Sequence, residues 1–134
     1  MIIVDSSALI AILLNEPESE IFFNIINLSD EALISSAILV EASVVMESRN
    51  GIVGVQNLDD LISQLKLEII SFTPEQAEIA IKAFRTYGKG RHPASLNICD
   101  CYSYALAKYY NSPLLFKGND FSQTDIACAD KNLV

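Results

Sequence analysis

Four carboxylates stand where a solvated surface does not account for them: Asp5, Glu41, Asp100 and Asp120. Asp5 directly follows the β-branched run Ile2-Ile3-Val4, and Asp120 follows the apolar Leu114-Leu115-Phe116 by four positions. Both therefore belong at the carboxyl ends of strands, where α/β proteins place their sites. Glu41 is the lone charge between Ala37 and Met46, which predicts partial burial. Asp100 lies in the opening turn of a helix whose next charge is Lys108, where an acid ordinarily complements the helix dipole. If the four converge, each pair near 4 Å repels by about 4 kcal/mol at an effective dielectric near 20. A hard divalent cation offsets that repulsion, because Mg²⁺ and Mn²⁺ favour oxygen sites made of a few carboxylates and water. Such an ion activates a bound water and stabilises an in-line phosphoryl displacement, so the candidate activity is phosphodiester hydrolysis.

The elements that must position these acids alternate between short apolar runs and helical periods. After the strand at residues 2–4, Asp5-Ser6-Ser7 are residues that favour helix caps ahead of the apolar stretch Ala8 to Leu14. Pro17 suits the start of a second helix, with Ile21, Phe22, Ile25, Ile26 and Leu28 on one face. Ala32 to Ser35 reads as a buried strand, and Ala37 to Ser48 as a helix broken at Asn50-Gly51. Val55, Leu58, Leu61, Ile62 and Leu65 form a further helical stripe, followed by a strand over residues 68–72. Thr73-Pro74-Glu75-Gln76 opens a helix that reaches about Tyr87. Two glycines and a proline make residues 88–93 a loop, and a helix then runs from about Leu96 to Tyr110. A strand at Leu114 to Phe116 completes the pattern, whereas the mixed stretch from Asp125 to Val134 marks a last strand poorly. Short apolar strands alternating with helices predict a single α/β domain over residues 1–134, with a short parallel β-sheet flanked by α-helices.

The chain has 134 residues, 51% hydrophobic and 19% charged, which suits one core. The mean hydropathy is positive, +0.31. No run of 18 or more apolar residues occurs, so no transmembrane span is expected. The three cysteines, Cys99, Cys101 and Cys128, are an odd count that opposes a disulfide framework and points to a reducing, cytoplasmic setting. The net charge of −8 argues against broad electrostatic binding of nucleic acid, but it is localised. Residues 1–48 hold eight acids and no base, and no acid occurs between Glu78 and Asp100. That acid-free window carries Lys82, Arg85, Lys89, Arg91 and His92, which reads either as a solvated face or as a phosphate-contacting segment.

Three stretches resemble the PIN-domain ribonucleases, and among them the VapC-type toxins of prokaryotic toxin–antitoxin pairs. They are Ile2-Ile3-Val4-Asp5-Ser6-Ser7-Ala8-Leu9, the Glu41 helix, and residues 97–107 around Asp100. Leu114 to Phe121 with Thr124-Asp125-Ile126 resembles that group's last acidic motif, and Tyr87 to Ala94 resembles the loop of one subgroup. The resemblance implies a Mg²⁺- or Mn²⁺-dependent endoribonuclease, a homodimer, and a cognate antitoxin as protein partner. It assigns Asp5, Glu41, Asp100 and Asp120 to the metal and the chemistry, with Asp125 as a fifth, outer acid. Ser6 matches a hydroxyl position that orients a water or a carboxylate. In this reading Lys89, Arg91 and Arg85 grip the RNA backbone, and the product carries a 5′-phosphate.

Other chemistries fit the residues less well. Cys99 and Cys101 on one helix point about 200° apart at roughly 100° per residue and cannot share a zinc ion, so the cysteines are expected in the core. No Gly-x-Ser-x-Gly elbow accompanies His92, and Gly88-Lys89-Gly90 is too short for a phosphate-binding P-loop. An aspartate-based phosphatase or receiver-like domain shares an Asp at the end of its first strand, but Asp5-Ser6-Ser7 lacks the second Asp of the phosphatase type. A non-catalytic α/β protein-binding module is the remaining alternative.

Overall fold

The computed structural model describes residues 1–130. Strand β1 (Ile2–Val4) leads into helix α1 (Ser6–Leu13), followed by α2 (Ser19–Leu28), β2 (Ala32–Ser35) and α3 (Ser36–Leu65). Then come β3 (Glu68–Ile70), α4 (Pro74–Tyr87), α5 (Ile98–Tyr109), β4 (Leu114–Leu115) and a 3₁₀ turn at Phe121–Gln123. The four strands form one parallel sheet in the order β3-β2-β1-β4, so the expected short parallel sheet flanked by helices is present.

Alternation along the strands divides the apolar residues between two faces. Ile2, Val4, Ile34 and Leu115 enter a core with α1, α2 and α3, where Leu9, Phe22, Ile38 and Leu58 are fully enclosed. Ile3, Leu33 and Leu114 point the other way, into a core built with α4 and α5 around Leu96, Ala105 and Leu106. Covering both faces is what lets such short strands persist, since each fully buried aliphatic side chain contributes about 1.5–3 kcal/mol.

Local signals explain most boundaries. Thr73 caps α4 by accepting from the Gln76 amide at 3.2 Å, and Pro74 occupies the first turn. The break expected at Asn50-Gly51 lies within α3: Gly51 has φ 65° and ψ −153°, so two helical segments meet there. Gly54 then passes so close to the preceding segment that a Cβ would stand 2.4 Å from the Met46 carbonyl oxygen. Helix α5 starts two residues later than its apolar period suggests, because Asn97 is its cap and Ser95 just before it has positive φ. Helix α2 likewise begins at Ser19, after a turn containing Pro17.

The weakly marked C-terminal stretch forms an isolated parallel bridge between Cys128 and Leu114, which extends the β4 edge. Of the stretch Asp125 to Val134, residues 131–134 lie outside the described residues. Among the described residues, no helix is long and apolar enough to cross a membrane.

Candidate metal centre

Asp5 begins the site. It leaves β1 with its amide donating to the Leu115 carbonyl at 3.0 Å, and it is the N-cap of α1. The Ser7 amide (3.1 Å) and Ser7 Oγ (2.7 Å) both donate to its Oδ2. Ser103 Oγ, from α5, donates to its Oδ1 at 2.5 Å. The side chain is nearly enclosed, at 3% exposure, so both oxygens of this buried carboxylate are oriented by hydroxyl donors.

Glu41 projects from the second turn of α3 and is half-buried, as its apolar surroundings predict. Ser6 Oγ donates to its Oε1 at 2.6 Å. Ser6 is therefore the first residue of α1 rather than its cap, and its hydroxyl orients a carboxylate of the cluster. Asp100 completes a capping box at the start of α5: its amide donates to Asn97 Oδ1 (2.9 Å), and the Asn97 amide donates to Asp100 Oδ2 (3.0 Å). That is a more definite local role than complementing the helix dipole. Asp120 sits five residues beyond β4, at the start of the 3₁₀ turn.

Asp100 lies within electrostatic reach of the other three acids. The Asp100 carboxyl is raised from 3.8 to about 7, chiefly by burial. Its bond from the Asn97 amide opposes the rise, and the charges of Asp5, Asp120 and Glu41 add to it. Among the described residues, no lysine or arginine forms an ion pair with any of the four. Nor is any group of three or more His, Cys, Asp or Glu drawn into a coordinating arrangement. The donor set itself is all carboxylate, and the one histidine is elsewhere, with its Nδ1 accepting from the Ala94 amide. Four carboxylates without an ion-pair partner among the described residues, one of them raised by burial and further by the other three, fit a hard divalent cation and not a thiolate- or imidazole-selecting one.

Asp125 is placed differently. It accepts from Tyr104 Oη at 2.7 Å and pairs with Lys108 Nζ at 2.8 Å, and it is not among the charges acting on Asp100. Arg85, Lys89 and Arg91 are exposed. The Arg91 guanidinium lies 5.8 Å from the Phe84 ring centroid. Gln123 Nε2 donates to the Pro93 carbonyl at 3.4 Å, which ties the Lys89–Arg91 loop to the turn after Asp120.

Two features escape the sequence reading. Cys101 enters the core as expected, but the half-buried Cys99 stands close to Glu41, and burial first, then its interaction with Glu41 and the Asp100 and Asp5 charges, push its thiol up to about 12. Ser103, four positions before Ala107 in an apolar helix, carries no local mark of its bond to Asp5 98 positions away. An isolated hydroxyl in an otherwise apolar helix stripe is the signal that could have found it.

Comparison with known proteins gives a consistent family. A model described as the PIN domain matches residues 2–127. Ribonuclease VapC30 of Mycobacterium tuberculosis is 44% identical over 125 residues, 93% of this chain and 95% of that protein. Ribonuclease VapC of Mycolicibacterium smegmatis is 42% identical over 93% of this chain and 97% of its own. Among solved structures, Mycobacterium tuberculosis VapC20, a sarcin-ricin loop cleaving toxin, aligns with a TM-score of 0.74 at 14% identity, over 95% of this chain and 97% of that one. A toxin–antitoxin complex from Klebsiella pneumoniae aligns with a TM-score of 0.73 at 17% identity, over 96% of this chain and 98% of the other.

Proposed function

The chain belongs to the PIN-domain family, among the VapC ribonucleases, and on that footing we propose that it is a Mg²⁺- or Mn²⁺-dependent endoribonuclease, the toxin of a toxin–antitoxin pair. The observation that carries the reading is the Asp100 carboxyl, raised to about 7 by burial and in part by the charges of Asp5, Asp120 and Glu41, with no base among the described residues paired to any of them. Asp5, Asp100 and Asp120 would hold the ion, with Glu41 beside them. Bound there, a divalent cation supplies an activated water and stabilises the charge that develops on the phosphate. Ser7 and Ser103 keep both Asp5 oxygens aimed. Ser6 and Cys99 hold Glu41 where it can orient the attacking water.

Arg85, Lys89 and Arg91 would contact the RNA backbone, supported by their exposure and by the loop's tie to the Asp120 turn. Partners in this reading are a cognate antitoxin and a second copy of the chain, supported by the exposed apolar residues Val40, Val44, Ile52 and Val53 along α3. The three unpaired thiols support a reducing cytoplasm. The test is cleavage of RNA by the purified protein with Mg²⁺ or Mn²⁺ and with a chelator, with 5′-phosphate ends expected on the products. Asp5→Asn is expected to abolish cleavage while retaining the circular dichroism of the parent. Undiminished cleavage by a folded Asp5→Asn variant would refute the assignment.

A further inference from the structure

The acidic N-terminal third of the chain contains no base of its own, yet the fold delivers one to it. Lys117 follows β4 by two residues, and its amide donates to Ser7 Oγ at 3.0 Å. The same Ser7 hydroxyl donates to Asp5, so the Lys117 backbone stands two hydrogen bonds from the proposed metal ligand. Its side chain runs along the surface to Glu16 Oε2 (2.8 Å) and Glu18 Oε2 (3.4 Å) while remaining 36% exposed. Beside it lies a cavity of about 390 Å³, lined among others by Glu18, Phe22, Phe116, Gly118, Asn119 and Ser122, the last three of which flank Asp120 in the chain. That volume lies in the range of small-ligand sites and accommodates one nucleotide, and the lining mixes apolar side chains (Phe22, Phe116) with polar ones (Asn119, Ser122).

We propose that this cavity is a nucleotide subsite of the RNA substrate and that Lys117 is its phosphate contact, kept in place by Glu16 and Glu18 until the substrate arrives. The inference rests on the ribonuclease reading above and adds a subsite to it. Solvent-exposed ion pairs are weak and exchange readily, so a phosphate can take the ammonium from either carboxylate. Two carboxylates around one ammonium also leave a net negative patch, which opposes the incoming backbone. Substitutions on the two sides of the pair therefore have opposite effects on substrate affinity. A purely structural clamp between the α1–α2 turn and the β4 turn would instead make them act in the same direction.

The test is steady-state cleavage of a fluorescently labelled single-stranded RNA of mixed sequence in Mn²⁺, with Mn²⁺ affinity measured separately by calorimetry. Lys117→Gln is expected to raise KM about fivefold at low salt with kcat retained, since a backbone contact is uniform binding. It should also flatten the dependence of log kcat/KM on log salt by about 0.7, the share of one contact to single-stranded nucleic acid. Lys117→Arg keeps the charge and should stay near the parent. The double variant Glu16→Gln with Glu18→Gln should lower KM. Mn²⁺ affinity should be unchanged in all of them. A parent that cleaves RNA, with Lys117→Gln unchanged in KM and salt slope, overturns the subsite alone. So does a KM that moves the same way in the lysine and glutamate variants, or a Mn²⁺ affinity that falls with Lys117→Gln. A parent that cleaves no RNA removes the ribonuclease reading and the subsite together.

Discussion

Asp100→Asn should make the metal-free protein more stable while removing its capacity for the ion. In the native chain the Asp100 carboxyl is raised from 3.8 to about 7, by burial first and by Asp5, Asp120 and Glu41 as well. In a fully enclosed site that displacement corresponds to about 4 kcal/mol of disfavoured ionisation. Asp100 is only half-buried, and solvent screening reduces the figure to about 1–2 kcal/mol. The sign follows from proton counting. Between about pH 4 and pH 7 the native state holds a proton that the unfolded chain has released, so stability falls as pH rises through that window. Above about pH 7 the whole penalty is present. Asparagine has no charge to lose and still offers an oxygen to the Asn97 amide, so the capping box survives. Thermal melts in chelator near pH 8 should therefore place the variant about 4–8 °C above the parent. The advantage should shrink steadily toward about pH 4. Adding Mn²⁺ at about 100 times its Kd should raise the parent by about 2.7 kcal/mol and leave the variant unmoved. A variant that melts below the parent in chelator near pH 8, or an advantage that grows with acid, would refute the account of the cluster.

Ser103→Ala leaves a buried Asp5 oxygen without its donor, at a cost of about 1–3 kcal/mol. Calorimetric Mn²⁺ affinity should fall about 10- to 100-fold, as when the support of a ligand is removed. Gly54→Ala places a Cβ 2.4 Å from the Met46 carbonyl oxygen, so the two segments of α3 must separate. Urea unfolding should report a loss of about 1–3 kcal/mol. Asp125→Asn breaks an exposed pair with Lys108 and should cost less than about 1 kcal/mol in the same assay. Because Asp125 is engaged by Tyr104 and Lys108, its replacement should leave Mn²⁺ affinity unchanged, and a clear loss would return it to the metal centre.

The charge distribution is compatible with the proposed action of so acidic a chain on an anionic polymer. Of its eight N-terminal acids, Asp5 and Glu41 belong to the cluster that a cation would offset, and Glu16 and Glu18 are engaged by Lys117. The exposed bases at Arg85, Lys89 and Arg91 lie in a segment without acids. The net charge alone, read as an average over the chain, does not bear on a local contact, because charges act over about 8–10 Å at ordinary ionic strength.

What was legible without coordinates is what depends on neighbours in the chain. The alternation in Ile2-Ile3-Val4, the cap and proline at Thr73-Pro74, the break at Gly51 and the stripe from Leu58 to Leu65 are local periods and local backbone preferences, and the elements appear where those place them. The four acids were visible for the same reason, as charges out of keeping with their immediate surroundings. Tertiary packing decided the rest. The strand order β3-β2-β1-β4 is set by which helices cross which face, and no local period encodes it. Packing α5 over the sheet brings Ser103 onto Asp5 and Cys99 onto Glu41, pairs separated by 98 and 58 positions (103 − 5 and 99 − 41). It also places the Lys117 ammonium beside Glu16 and Glu18. Hydrogen bonds and charges act through space over a few ångströms, whereas sequence patterns extend only a few residues along the chain. The support of the acids, and the pairing of Lys117 with Glu16 and Glu18, were therefore fixed only when distant segments met.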